Sequence, residues 1–589
     1  MKHLALILIL LLAFALRVLG LGDLPPGWRD DEVIETTAHA QLVIDSERPL
    51  YFAQAEGHEP LYHYISAIWI VLVGDSLFSV RLVSVFFGLL AMTAACRLTR
   101  QLFGTRFALF AALLLAVSFW ALMYSRVKIR HISELPFALL AFSLLLKTSR
   151  VHLTSKLQLP TSILAGISLA LALYTYLAAV SLLLILFAFG VYLAFTRRQW
   201  RSAAVALGVA VALYSPLASA IAGNAARVSV VGGPLTALRA GDPQPILQNI
   251  VGALAMFGNS GDPEALYNVP GRPVFNVVGF YFFLGGVIIS VWRWRELRYA
   301  FLLLWLVGGL APAFASTPPA SLSHSITVMP AVYILAALPV FEFSQRPQRF
   351  FLSLLLFLGI AGRDLPDYFW RWPAVPEVRY LYKAELHEKA RQLRGAPPAT
   401  YVLSGSLSIW DRRAFMLEDV AVDSPPRWVN SDWAIVFPAG AQAAHYLFPL
   451  ADWQKDSPPQ NPVSIQFVNG LILEGWGGRG AAVVAHWRVG QTFEMVEPPI
   501  GSSVASPPFP VFTFLHLLNS DGSFAAGSDR FDVDVFSLQA GDRYLQRHLF
   551  EAAPGTYALE IGLYNPLTGG RILTVDGRDA VLLGSVTVP

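Results

Sequence analysis

Runs of apolar residues nearly as long as a lipid bilayer is thick constrain this chain more than any other feature. A hydrocarbon core about 30 Å across needs roughly 20 residues of apolar helix. Such runs lie at 3–21, 80–96, 107–124, 134–146, 160–196 (room for two), 202–222, 274–292, 299–315, 325–341 and 350–362. A shorter stretch, 61–73, carries Tyr62, Tyr64 and Trp69, which suit a membrane interface. Composition agrees: 55% of the 589 residues are hydrophobic and only 14% charged, against about 25% in soluble proteins. A cytosolic globular protein and a disordered chain are both excluded. The net charge of +3 gives no footing for nucleic acid, and the single Cys96 can close no intramolecular disulfide. The expectation is a polytopic α-helical membrane protein with a more polar part attached.

Orientation follows from basic residues in short loops. The clusters are Arg97/Arg100/Arg106, Lys147/Arg150/Lys156, Arg197/Arg198/Arg201, Arg293/Arg295/Arg298 and Arg346/Arg349. No small-x-small cleavage site follows the first run and Arg17 interrupts its end, so it reads as a retained span rather than a signal peptide. With Lys2 inside and 61–73 lying on the membrane, all five clusters fall on the cytoplasmic side. If 61–73 crosses, all five fall outside. The sequence therefore predicts about 11 spans and a long first external loop, 22–79, with further external segments at 125–133, 223–273 and 316–325. Residues 1–362 form the membrane domain, 363–460 a mixed α/β connector with a helix at 377–393, and 461–589 an extracytoplasmic β-sandwich. In the last, 463–468, 481–487, 512–518, 531–536 and 557–563 alternate as strands, with turns such as Asp521-Gly522 between them.

The residues able to do chemistry gather in those external segments. Asp30-Asp31-Glu32 follows Pro25-Pro26-Gly27-Trp28, a stiff exit from the first span, so these carboxylates are held near the membrane surface. Asp30 and Asp31 also suit N-caps of a helix over 32–44. Gly57-His58-Glu59-Pro60 opens the interfacial helix, where Pro60 fits the first turn and Glu59 the helix dipole. The turn Tyr124-Ser-Arg-Val-Lys-Ile-Arg-His131 puts Arg126, Lys128, Arg130 and His131 on the external side, against the bias of the other clusters. Multidentate cations beside hydrocarbon are what a lipid-linked phosphate requires. His324, in the turn 316–325, faces the same compartment. Gly475-Trp-Gly-Gly-Arg-Gly480 fits G-x-G-x-x-G only formally, since a strand-like run follows it instead of a helix.

In order and spacing these motifs resemble the GT-C membrane glycosyltransferases, specifically family 39 and the RgtA/B/C/D-like group, which includes protein O-mannosyltransferases and aminoarabinose transferases. The resemblance rests on Leu16-Arg17, Pro-Pro-x-Trp, Asp31-Glu32, Glu59-Pro-Leu-Tyr62 and Tyr124-Ser-Arg-x-x-x-Arg130, and it covers roughly residues 1–345. It implies a GT-C fold and a polyprenyl-phosphate sugar donor used on the external face. It maps the reactive carboxylate onto Asp31, with Asp30 and Glu32 adjoining. The aminoarabinose transferases have Lys where this chain has Glu59, so a lipid A acceptor is not implied. The acceptor class, protein, lipid or glycan, stays open.

Chemistry leads the same way. A phosphate leaving group needs charge neutralisation rather than an acid, whereas an acceptor hydroxyl needs a base. Asp31 is the expected base for an inverting attack, with Arg126, Lys128 and Arg130 holding phosphate and His58, Glu59, His131 and His324 completing the site. No cofactor is required, although a divalent metal could bridge Asp31, His58 or Glu59 and the phosphate. A transporter or flippase of lipid-linked saccharides is the alternative. It predicts ionisable groups in mid-span, where this sequence has few. A membrane-anchored adhesion protein ranks last.

Overall fold

The computed structural model describes residues 2–53, 57–150, 155–197, 200–223, 233–342, 345–405, 407–440, 444–450, 458–493, 511–530, 532–566 and 568–589. The chain divides into two compact units, Met1–His387 and Glu388–Pro589. The connector expected at 363–460 is therefore shared: 363–387 continues the helical unit, and the remainder belongs with the strands.

In the first unit the apolar runs are helical: Lys2–Val18, Leu61–Val73, Leu77–Phe103, Thr105–Val117, Phe119–Arg126, Glu134–Arg150, Ser155–Leu173, Ser181–Arg197, Arg201–Ala222, Val277–Trp292, Leu297–Ala315, Met329–Glu342 and Arg346–Pro366. Among the described residues five helices are long and apolar enough to cross a membrane, or six with one bent pair counted as a single span. The long run 160–196 does divide, at Tyr174–Tyr176. Helix Met329–Glu342 is apolar all round and buried from Met329 to Leu338, as a central helix must be. Peripheral helices turn Leu72, Phe195, Trp292 and Phe350 outward. Helix Leu61–Val73 buries Tyr62, His63, Ser66 and Ala67 but exposes Ile68, Val71 and Leu72.

Two departures from regular helix shape the first unit. The run expected at 107–124 bends by 62° between Thr105–Val117 and Phe119–Arg126. Ser118 there takes an extended conformation, and the freed Phe119 N–H donates to Asp364 Oδ2 at 2.9 Å. The helix expected at 32–44 instead starts at Asp30, with Arg29 as its N-cap, and relaxes into a π-turn at Glu35–His39 before continuing as Ala40–Ile44. Asp30 and Asp31 thus lie in the first turn and do not cap it.

The second unit places a parallel sheet β2-β1-β4 (Arg427–Val429, Thr400–Ser404, Ala444–Tyr446) beside helix Ile409–Met416 in sequence. A five-stranded sheet follows the order β3-β10-β7-β6-β5 (Ala434–Phe437, Arg543–Leu549, Ala482–Val489, Leu471–Arg479, Asn461–Gln466). A second runs β12-β11-β8-β9 (Arg571–Ile572, Gly555–Tyr564, Phe512–Leu518, Phe524–Arg530), with β13 (Val581–Val588) on β11. Trp487, Leu515, Leu517, Leu559 and Ile561 bury between them. Because β3 pairs with β10, residues before 461 are part of the sandwich. The strand expected at 531–536 is only a bridge, Val533 to Val429, followed by a 3-10 turn Val535–Ser537; Phe531 lies outside the described residues. The Gly475–Gly480 run lies on β6 and the turn after it, where a Cβ on Gly478 would stand 2.1 Å from the Ala482 carbonyl. The expected helix 377–393 breaks at Lys383 (φ +51°) into Pro376–Leu381 and Ala384–Leu393.

Gly286 lets helix Val277–Trp292 approach helix Met329–Glu342 closely: a Cβ there would meet the Leu335 carbonyl oxygen at 2.0 Å. Backbone cannot yield as a side chain does, so Gly286→Ala should destabilise the helical unit by about 1–3 kcal/mol, the range of overpacked cores. Thermal unfolding in detergent would register the loss, and an unchanged midpoint would contradict this packing.

Candidate active site

Glu32 and Arg81 organise the loop 22–79. Both are fully buried, and two N–H groups of the guanidinium, Nε and Nη2, each meet a carboxylate oxygen at 2.9 Å. The remaining Arg81 donors reach the carbonyls of Leu21, Pro25 and Gly27, so one side chain fixes the exit from the first helix. Glu32 also accepts the backbone N–H of Arg29 at 3.3 Å and of Lys128 at 2.9 Å. Both oxygens are thereby occupied by partners within the chain, and Glu32 does not line the cavity described below.

Arg126 is likewise engaged within the chain. It is buried and donates to the carbonyls of Leu16, Leu19 and Leu24 and to the Tyr368 hydroxyl. A cation there suits the C-terminal end of helix Lys2–Val18, and Arg126 does not line the cavity described below. Lys128 is buried against Glu35, Nζ to Oε2 at 3.4 Å. Burial pulls its ammonium below the usual range, and Glu35 opposes that.

The other expected residues do converge. A cavity of about 680 Å³ brings together Asp31, His58, Arg130, His131 and His324, which come from three separate segments of the chain. Glu264, Tyr267 and Ser323 join them. Leu177, Val180, Leu184, Ala311, Pro312 and Ala315 also line it, together with Ser181, Ser316 and Thr317. Asp31 is 32% exposed and pairs with Arg29, whose guanidinium lies over the Tyr267 ring at 4.8 Å. Asp30 is exposed, bonds Lys383 Nζ at 2.5 Å, and does not line the cavity. Neighbouring acids in sequence thus point to different partners.

Among the described residues Arg130 is the one cation on the cavity wall. It donates to His58 Nε2 at 2.8 Å and lies 3.4 Å from Glu59 and 3.7 Å from Glu35. Glu59 therefore acts on the site through Arg130. Burial pushes the Glu35 carboxyl up to about 7, with Lys128 and Arg130 opposing. His131 lies against Tyr176, the rings tilted by 43° with centroids 4.0 Å apart; burial first, then Arg130, hold it well below the usual imidazole range. His324 bonds Ser316 Oγ at 2.8 Å and is pushed down to about 4 by burial. Both imidazoles are neutral at neutral pH. Asp262 accepts the N–H of Leu322 at 2.7 Å and of Glu264 at 2.9 Å, tying the loop 223–273 to the turn 316–325.

Sequence reasoning missed Arg81, Glu35, Glu264 and Tyr267. An arginine near the start of an apolar run was the available signal for Arg81, because it needs a buried anion. Glu264 and Tyr267 sit in a loop without motif and carried no signal of their own.

The model of the dolichyl-phosphate-mannose-protein mannosyltransferase family matches residues 57–219. That segment contains His58, Glu59, Arg130 and His131, and the match agrees with the GT-C resemblance of the motifs. No curated protein sequence matches the chain. Among solved structures, the apo oligosaccharyltransferase of Archaeoglobus fulgidus is similar at 16% identity and a TM-score of 0.45, over 71% of this chain and 63% of that one. ArnT from Cupriavidus metallidurans bound to undecaprenyl phosphate is similar at 14% identity and a TM-score of 0.46, over 71% and 85%. The mycobacterial arabinofuranosyltransferase AftD is similar at 16% identity and a TM-score of 0.40, over 68% and 29%. The chain thus spans just under two thirds of the length of the oligosaccharyltransferase.

Removing one partner of a buried ion pair strands the other charge, at about 3–5 kcal/mol. Arg81→Met should therefore lower stability by that amount, and Glu32→Gln by less because it keeps hydrogen-bonding capacity. Denaturation of the two variants side by side checks the order, and equal stability of Arg81→Met and wild type would refute the scaffold role.

Proposed function

We propose that the protein is an integral membrane glycosyltransferase that moves a sugar from a polyprenyl-phosphate donor to an acceptor hydroxyl on the external face. The observation that carries this reading is one cavity lined both by the polar Asp31, Arg130, His131 and His324 and by the apolar Leu177, Val180, Leu184 and Ala311. A lipid-linked sugar phosphate presents the same two kinds of surface. The mannosyltransferase family match over 57–219 supports it independently.

In the proposed reaction Asp31 takes the proton of the acceptor hydroxyl. The acceptor oxygen forms a bond to the anomeric carbon as the bond from that carbon to the phosphate oxygen breaks, and the electron pair leaves with the phosphate. Attack from the opposite face inverts the anomeric centre. Arg130 compensates the charge growing on the phosphate, where a positioned guanidinium is most effective. His131 and His324, neutral, supply hydrogen bonds rather than charge. The proposal includes about 11 spans with 61–73 on the surface, and a C-terminal unit outside the cytoplasm.

The test is purified full-length protein incubated with a panel of polyprenyl-phosphate hexoses and pentoses, with mass spectrometry of candidate acceptors. Asp31→Asn should lower transfer by about 10²–10⁴-fold, the usual share of a general base, with donor affinity nearly unchanged. A transporter would keep most of its activity in that variant. Arg130→Gln removes a charge-assisted contact of about 1.5–3 kcal/mol, so donor binding should weaken about 10- to 100-fold. Absence of transfer with every lipid-linked donor by folded protein would overturn the reading.

A further inference from the structure

Three histidines of the first external loop meet beside the candidate active site without any task in the proposed reaction. His39 comes from the π-turn, His58 from the bridge that Phe52 and His58 form, and His63 from helix Leu61–Val73. They are 0, 3 and 0% exposed. One nitrogen of each lies within 4.8 Å of the others. Their ring centroids are 4.6 to 5.2 Å apart.

Among the described residues neither ring nitrogen of His39, nor either of His63, has a hydrogen-bond partner. Leaving a buried polar group unsatisfied is costly, and four such atoms sit on these two neighbouring rings. Packing alone does not call for imidazole here. Phe52 already lies 4.9 Å from both rings, and further apolar side chains would fill the space without desolvating nitrogen.

We propose that His39, His58 and His63 form a binding site for a transition-metal dication of the zinc class. Nitrogen-only ligation suits zinc, cobalt, nickel or copper, whereas magnesium and manganese favour oxygen. The site is thus distinct from a phosphate-bridging metal on Asp31 or Glu59. Burial, with Lys128 and Arg130 adding to it, holds His39 and His63 in the neutral form that ligates. Glu35 Oε1, 3.7 Å from His58 Nδ1, fits an outer-shell partner for the protonated nitrogen, so His58 ligates through Nε2, where the metal takes the place of the Arg130 N–H at 2.8 Å. The two cations nearby are matched by Glu35 and Glu59. A metal at this point fastens the π-turn, the Phe52–His58 bridge and helix Leu61–Val73 together, and so stiffens the loop that presents Asp31.

Tag-free full-length protein, stripped with a chelator and reloaded with zinc chloride or cobalt chloride, provides the test. The expected results are one zinc retained per chain by elemental mass spectrometry, a cobalt absorption spectrum of tetrahedral type that zinc abolishes, and a higher unfolding temperature with zinc than with chelator. His39→Ala and His63→Ala should lose the metal. No retained metal in the folded wild type, a cobalt spectrum of the hydrated ion, or folded variants that keep the metal would each overturn the proposal. Should the variants not fold, the wild-type cobalt spectrum decides alone. None of these readouts involves sugar transfer, so this inference and the transferase reading stand or fall separately.

Discussion

The buried pair of Glu32 and Arg81 is the interaction on which the rest of the helical unit's working end depends. One guanidinium satisfies a carboxylate and three backbone carbonyls, and that carboxylate in turn holds the N–H groups of Arg29 and Lys128. The first helix exit, the helix turn bearing Asp31 and the basic turn at 126–131 are thereby locked to helix Leu77–Phe103. Two charges with no access to water tolerate few geometries, because each unmet donor or lone pair there is costly. That intolerance gives the loop a defined shape, which apolar packing, indifferent to direction, would not.

Charge in this unit is divided between frame and cavity. Arg81, Arg126 and Lys128 are consumed in holding the chain, and Arg130 alone among the described cations reaches the cavity wall. The cavity wall carries one guanidinium, the two part-exposed carboxylates of Asp31 and Glu264, and the neutral imidazoles of His131 and His324, beside apolar residues from the starts and ends of neighbouring helices.

Much of this was legible in the sequence, for reasons that are physical. Apolar length reports helices, and alternation reports strands, so the helical unit and most of the sandwich could be read directly. Asp31, His58, Arg130, His131 and His324 were legible as a group because they lie in segments assigned to one side of the membrane. That Glu32 and Arg126 are held by buried partners was not legible, because a charged residue looks the same in sequence whether it faces a cavity or a buried partner. The strand expected at 531–536 failed although Val533 and Val535 alternate as a strand requires, because Asp534 caps a 3-10 turn there, its side chain accepting the Phe536 N–H.

By itself the sequence determined where the apolar helices run, that the charged groups gather at their ends, and which motifs resemble a GT-C glycosyltransferase. Those properties depend on local composition and period, which need no distant partner. Only the tertiary structure decided which charges are frame and which line the cavity, and that His39, His58 and His63 share one point. Such facts rest on contacts between residues far apart in the chain, and burial, not residue type, fixes what an ionisable group can do.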